Sequence, residues 1–204
     1  MNLELNWSVT AHGLVYINNA LLNNVFDIQV TLTTNTDSAA DQLVTYGRQK
    51  VFLSTILDDS IFLDYTKQNH KFLITELSQN FVYLPDAPAD HIICAALFYK
   101  LSAIADKKLT VQKVELASRI GDDVYYSMTP NYSVAAFKKD PPWLIGTKIK
   151  PWWHRNDTTT RDDFLLNGDF IETELTWEEL DLAYPASTKD SSIFTVIKGG
   201  KDEK

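Results

Sequence analysis

The chain has 204 residues, 45% of them hydrophobic, and a formal charge of -8. A chain of this length can bury one sizeable core, and its acidic balance disfavours nucleic acid or an anionic membrane as a partner. A single cysteine, Cys94, excludes an intrachain disulfide and a thiolate metal cluster. The N-terminus lacks the positively charged residues and apolar run of a standard export signal. No segment approaches the about 20 consecutive apolar residues that a membrane-spanning helix needs. The sequence therefore predicts a cytoplasmic protein without a membrane span.

Two alternating segments at the N-terminus predict strands. Leu3 to Thr10 and Phe26 to Thr33 each place apolar residues on one face and polar residues on the other. A sheet with one solvent-exposed face is typically antiparallel, so these strands are expected to pair in that way. The segment between them, residues 13–25, is apolar with paired asparagines, and it is interpreted as a broad loop or another short strand.

A helix is predicted next, because Asp37 or Ser38 can cap it and apolar residues recur at helical spacing to about Leu57. One face of this helix should cover the sheet. Three short segments rich in β-branched and aromatic residues then predict extended structure, at residues 60–65, 70–77 and 80–85.

A second helix is predicted from near Ala87 to about Ala105. Asp86 can accept the free N–H groups of a first turn, and Pro88 lacks an N–H that would need a partner. The apolar stripe of this helix is wide enough to predict near-complete burial.

Two strands follow, at residues 109–118 and 122–128. The apolar residues of the first change from odd to even positions between Val111 and Val114, which predicts a bulge.

These elements predict an α+β fold with a mainly antiparallel sheet covered by two helices. Residues 1–136 are expected to form the core domain. Residues 137–204 are expected to form an aromatic C-terminal arm that packs on the core or extends it, with a frayed end from about residue 198. Within the arm, the capping box Thr176 to Glu179 favours a short helix or a paired strand, and residues 192–197 favour a last strand.

No complete catalytic set is visible in the sequence. The four histidines include no pair three or four residues apart, so a helical pair of metal ligands is excluded. Three double aspartates could hold a divalent cation, but each falls where a turn or an element end is expected. They are Asp58-Asp59, Asp122-Asp123 and Asp162-Asp163. We predict no catalytic residue, no metal and no cofactor.

The arm segment from Lys138 to Arg155 carries five basic residues and one acidic residue in an otherwise acidic protein. Tryptophan beside Lys and Arg is typical of interface anchors and of stacking on nucleic acid bases. The alternative is that the arm folds back and packs its own tryptophans on the sheet. The predicted partner-binding residues are Trp143, Lys148, Lys150, Trp152, Trp153, His154 and Arg155.

The order of elements resembles the tunnelling fold of the 6-pyruvoyl- and 6-carboxy-tetrahydropterin synthases, with HKFL before APADHIICAALFYKL and a closing hairpin. The resemblance implies a zinc site, with His12 in the place of the first ligand. The second strand opens Asn24-Val25-Phe26 and has no histidine, and the pterin-anchoring glutamate would fall near Ser118. The resemblance therefore implies that this chemistry is lost.

A second resemblance runs from about Leu84 to Tyr184. The segment LPDAPADHIICAALFYKLSAIADKKLTVQKVELAS, then GDDVYYSM, a WW pair and TWEELDL, is similar to small uncharacterised proteins of large tailed bacteriophages. That resemblance implies no known activity, and it implies the host cytoplasm as the location.

The function expected from these observations is a non-catalytic phage-type accessory or assembly protein. It would bind a protein partner, or a second copy of itself, through the aromatic arm. The alternatives are an enzyme, either a divergent tunnelling-fold enzyme or a metal-dependent phosphodiesterase, and a protein that sequesters a small ligand.

Overall fold

The computed structural model describes residues 4–35, 38–67, 77, 80–162 and 177. Within these residues, a mixed six-stranded sheet and two α-helices share one main core, which confirms the predicted α+β class. The elements are β1 (Glu4–Ile17), β2 (Ala20–Thr34), α1 (Ala39–Val51), β3 (Ser60–Asp64), β4 (Phe81–Leu84), α2 (Asp90–Ala105), β5 (Leu109–Ser118) and β6 (Tyr126–Met128). The strand order is β4-β3-β1-β2-β5-β6, and most of the pairing is antiparallel, as predicted.

The first two strands are longer than the sequence predicts. The segment interpreted as a loop or short strand is the tip of a continuous hairpin, in which Ile17 pairs with Ala20. Asn18 and Asn19 turn the chain with φ of 52° and 64°, and two positive φ values are what a two-residue hairpin turn requires. Buried and exposed residues no longer alternate near this tip, because both faces of the sheet are covered there. Val15 and Tyr16 are both buried, in different apolar clusters on opposite faces.

The predicted first helix is confirmed, including its start. The Ser38 hydroxyl accepts the N–H of Asp41 at 3.3 Å. After Val51 the helix continues as a π-helical turn over Phe52–Ile56, so helical structure reaches the predicted end near Leu57.

The start predicted for the second helix is wrong. The helix begins at Asp90, after an extended Ala89 without a side-chain cap, and the Asp86 carboxylate instead accepts the N–H of Ala87 at 2.7 Å. Pro88 explains the delay, because proline disfavours helical backbone in the residue before it. The helix interior is buried nearly all round, as predicted.

Two parallel pairings distinguish the sheet from the one that the sequence predicts. β3 pairs parallel with β1, and β4 pairs parallel with β3. A Cβ at Gly13 would lie 3.0 Å from both the Ser60 carbonyl oxygen and the Phe62 ring, so glycine lets β3 approach β1. Every residue of β3 and β4 is buried, which is typical of parallel strands.

The predicted bulge lies in β5. Val111 pairs with Leu32 and Lys113 pairs with Thr31, so Gln112 is the extra residue. The strand predicted at residues 122–128 is shorter than expected, because Asp122 and Asp123 adopt left-handed φ values of 53° and 57° in the turn before β6.

The two faces of the sheet differ. The helices and the π-helical turn cover one face and enclose the main core. On the other face, β3 and β4 carry a small apolar cluster around Tyr83, whereas β1 and β2 expose polar side chains such as Ser8 and Gln29. None of the helices in the described part of the chain is long and apolar enough to cross a membrane.

The described part of the arm packs along the β4 edge of the sheet. The Tyr83 N–H donates to the Thr160 carbonyl at 3.0 Å, which occupies part of an edge that would otherwise be open to another strand. The division of the chain near residue 137 stays a prediction. Apart from Trp177, the predicted capping-box helix, last strand and frayed end lie outside the described residues.

Candidate functional site

The predicted tryptophan anchors do not form a surface. Trp152 and Trp153 are 0% and 1% exposed and belong to the main core. The Trp152 indole N–H donates to the Tyr83 carbonyl at 2.7 Å. Trp143 is half-buried, stands edge-on to the Tyr65 ring and donates its indole N–H to Asp162 at 3.1 Å. The structure thus has the arrangement in which the arm packs its own tryptophans.

The other predicted partner-binding residues differ in exposure. Lys148, Lys150 and His154 are exposed, and the His154 ring packs edge-on against Tyr99. Arg155 is partly buried and is engaged by the arm itself. Partner binding by these four residues stays a prediction.

A buried ionic cluster, formed by Lys100, Arg155, Asp157 and Asp162, holds the arm on α2. Lys100 is fully buried, and its three ammonium donors meet the carbonyls of Trp152 and Arg155, each at 3.1 Å, and the Asp157 carboxylate at 2.8 Å. Burial raises the pKa of Asp157, but the charge and hydrogen bond of Lys100 outweigh it and leave that pKa below its usual value. Sequence reasoning missed this cluster. The available signal was a lone lysine in an otherwise apolar helix interior.

Asp162 is the second buried carboxylate of the ionic cluster. Burial raises its pKa from 3.8 to about 6, although the Arg155 guanidinium and the Trp143 N–H both act to lower it. Arg155 Nη1 lies 3.2 Å from Asp162 Oδ1. Asp162 was predicted to belong to a turn or a cation site, but its role is to tie the arm together.

The raised pKa of Asp162 predicts a pH-dependent stability. Between pH 3.8 and about 6 the folded state holds a proton that the unfolded state has released, so stability falls as pH rises through that window. The shift corresponds to at most about 3 kcal/mol. Asp162→Asn should therefore gain stability relative to wild type between pH 4 and pH 7, measured by urea unfolding at each pH. A stability difference between Asp162→Asn and wild type that stays constant from pH 4 to pH 7 would contradict the raised pKa. The control is Ile145→Ala, at an exposed position, whose stability difference from wild type should not change with pH.

A pocket of about 280 Å³ lies at one edge of the sheet. β1, β3 and β4 run parallel, so their carboxyl ends meet at this edge. Ligands in proteins with parallel strands commonly bind outside those ends. The pocket is lined by Tyr16, Ile17, Asn18, Asn19, Asp64, Lys67, Ala87 and Pro88. The hairpin tip, the end of β3 and the segment between β4 and α2 therefore all contribute to it.

The pocket combines an apolar wall with convergent polar groups. Ile17, Ala87 and Pro88 supply the apolar part. Asp64 is 6% exposed, and its carboxylate lies 3.2 Å from the Lys67 ammonium. An apolar wall with a few polar groups is the usual lining of a small-molecule site, and the volume lies just below the usual range of about 300 to 1,000 Å³. None of these residues was singled out from the sequence as a ligand.

A histidine and a carboxylate meet elsewhere on the sheet. The backbone N–H of His12 donates to Asp58 Oδ1 at 2.7 Å, and His12 Nδ1 lies 3.5 Å from the same oxygen. The imidazole is largely exposed, with 63% of its side chain open to solvent. A carboxylate that is hydrogen-bonded to Nδ1 can orient a histidine for proton transfer at Nε2, and here the two groups lie within ion-pair distance.

The residues that face His12 on β2 are not histidines. Val25 lies directly opposite His12 on β2, and Asn23 and Asp27 flank it on the same face. In the part of the chain that is described, no three His, Cys, Asp or Glu side chains converge as metal ligands. Asp59, Asp122 and Asp123 instead hold left-handed turns.

Ser118, at the position where the resemblance would have placed a glutamate, contacts Asp90 at the start of α2. Its hydroxyl lies 2.8 Å from both carboxylate oxygens of Asp90. Burial raises the pKa of Asp90, and the Ser118 hydrogen bond opposes that rise. We interpret this pair as structural, because the Ser118 hydroxyl also accepts the N–H of Gly121 at 3.2 Å.

No protein-family model matches the chain. No curated protein sequence matches it. Among solved structures, the 6-pyruvoyl tetrahydropterin synthase of Plasmodium vivax matches with 11% identity and a TM-score of 0.44, over 65% of this chain and 99% of that one. The synthase of Plasmodium falciparum matches with 9% identity and a TM-score of 0.41, over 62% of this chain and 96% of that one.

These matches correct the expected function. The sequence favoured a non-catalytic accessory or assembly protein acting through protein binding or self-association. That prediction is wrong as it stands, and the finding against it is that the matched solved structures are synthases. The similarity to phage proteins is a separate matter and stays a prediction.

Proposed function

We propose that this protein binds a compact, polar small molecule in the pocket at the carboxyl ends of β1, β3 and β4. The observation that supports the proposal is the convergence of three parallel strand ends on a concave, polar-lined pocket. Both a small-molecule enzyme and a sequestering protein need such a pocket, whereas an assembly protein does not.

Native mass spectrometry tests this function. Protein purified without unfolding and incubated with a metabolite extract should carry a bound small molecule. Ala87→Phe should abolish that binding, because Ala87 lines the pocket and a phenyl ring would fill it. Ala135→Phe, at an exposed position of a 3-10 turn, should leave binding unchanged.

Thermal melting shows whether Ala87→Phe remains folded. A folded Ala87→Phe variant that still carries the molecule would overturn the proposed pocket. The absence of any bound molecule from the wild type, with extracts from several growth conditions, would also count against it.

A second candidate function is an enzyme that uses His12 as an acid-base group oriented by Asp58. The contact between His12 Nδ1 and Asp58 favours it. His12→Gln should stop the conversion of any metabolite that wild-type protein consumes, followed by mass spectrometry of the extract over time. His154→Gln, which alters another exposed histidine, should not. Equal conversion by both variants would remove His12 from the mechanism.

A further inference from the structure

The polar groups of the pocket point to a particular class of ligand, on the premise that the pocket is a small-molecule site. The Asp64 carboxylate already has several donors. Its Oδ1 accepts the N–H of Thr66 at 2.9 Å and also the Thr66 hydroxyl, and its Oδ2 faces the Lys67 ammonium. Asp64 therefore has little capacity left for a donor on a ligand.

Lys67 is in the opposite situation. An ammonium has three N–H donors, and the contact with Asp64 engages one of them. With 62% of its side chain exposed, Lys67 can turn the other donors toward a bound molecule. Asn18 adds a side-chain amide with two more donors at the hairpin tip. Asn18 also carries one carbonyl acceptor, so Lys67 and Asn18 together offer a bound molecule more N–H donors than acceptor oxygens.

The charges of Asp64 and Lys67 offset one another, so the wall has no net charge with which to favour a multiply charged phosphate. We infer that the ligand presents a carboxylate or carbonyl oxygen to Lys67 and Asn18, and an apolar portion to Ile17, Ala87 and Pro88.

Three probes with one carbon skeleton test this inference: isobutyrate, isobutyramide and isobutylamine. Each is titrated into the full chain, and the backbone amide signals of Asn18, Asn19 and Ala87 are followed by NMR. Isobutyrate and isobutyramide should shift these signals saturably and bind at least fivefold more tightly than isobutylamine.

Lys67→Met should weaken isobutyrate binding at least fivefold. Lys50→Met, the same change at an exposed position on α1, should leave it unchanged. Tighter binding of the amine, or isobutyrate affinity that is unaffected in Lys67→Met, would overturn the inferred ligand class while leaving the pocket intact. If none of the probes shifts the signals, the inferred class fails, and the mass-spectrometric comparison of Ala87→Phe decides separately whether the pocket binds anything.

Discussion

Trp152→Ala should lower the free energy of unfolding by about 3 to 5 kcal/mol, the usual cost of removing a large aromatic side chain from a core. Trp152 is fully buried, so the variant leaves a cavity between α2 and β4. It also removes the indole N–H that donates to the Tyr83 carbonyl. Urea unfolding followed by circular dichroism measures the loss.

The same variant separates packing from partner binding. Because Trp152 packs inside its own chain, folded Trp152→Ala should have the same oligomeric state as the wild type in native mass spectrometry. Ile145→Ala, at a residue that is 72% exposed, should change stability by less than about 0.5 kcal/mol. A change in assembly with unaltered stability would show that Trp152 serves an interface.

Lys100→Met should cost about 3 kcal/mol, because removing one partner of a buried ion pair leaves the others without compensation. The methylene stem is largely kept in methionine, so the loss reports the ammonium. The carbonyls of Trp152 and Arg155 and the Asp157 carboxylate would each lose a donor. Urea unfolding at pH 7 measures the effect.

Two further variants make the Lys100 result specific. Lys50→Met, at an exposed position, should be nearly neutral. Asp157→Asn combined with Lys100→Met should cost less than the sum of the two single changes, because the two residues share one interaction. Strict additivity would show that the contact between Lys100 and Asp157 contributes nothing to stability.

Much of the scaffold could be predicted because its determinants are local. Alternation predicted the first two strands, Ser38 predicted the start of α1, and the parity change in β5 predicted a bulge that centres on Gln112. The predicted start of α2 is wrong because the capping preference of aspartate is general, whereas Pro88 specifically disfavours helical backbone at Ala87.

The candidate site could not be predicted, because it depends on long-range pairing. Its polar residues Asn18 and Lys67 line the same pocket because β3 pairs parallel with β1, beside Gly13. Nothing in the local pattern of a short apolar strand distinguishes parallel from antiparallel partners. Lys100 was missed for a related reason, since the acceptors that satisfy it lie more than 50 residues away in the arm.

The most direct test of the proposed function is a crystal structure of protein purified without unfolding, combined with mass identification of any bound molecule. We predict density for a compact molecule in the pocket at the carboxyl ends of β1, β3 and β4, within hydrogen-bond distance of Lys67 or Asn18. A bound molecule at another position, with water alone in this pocket, would contradict the proposal.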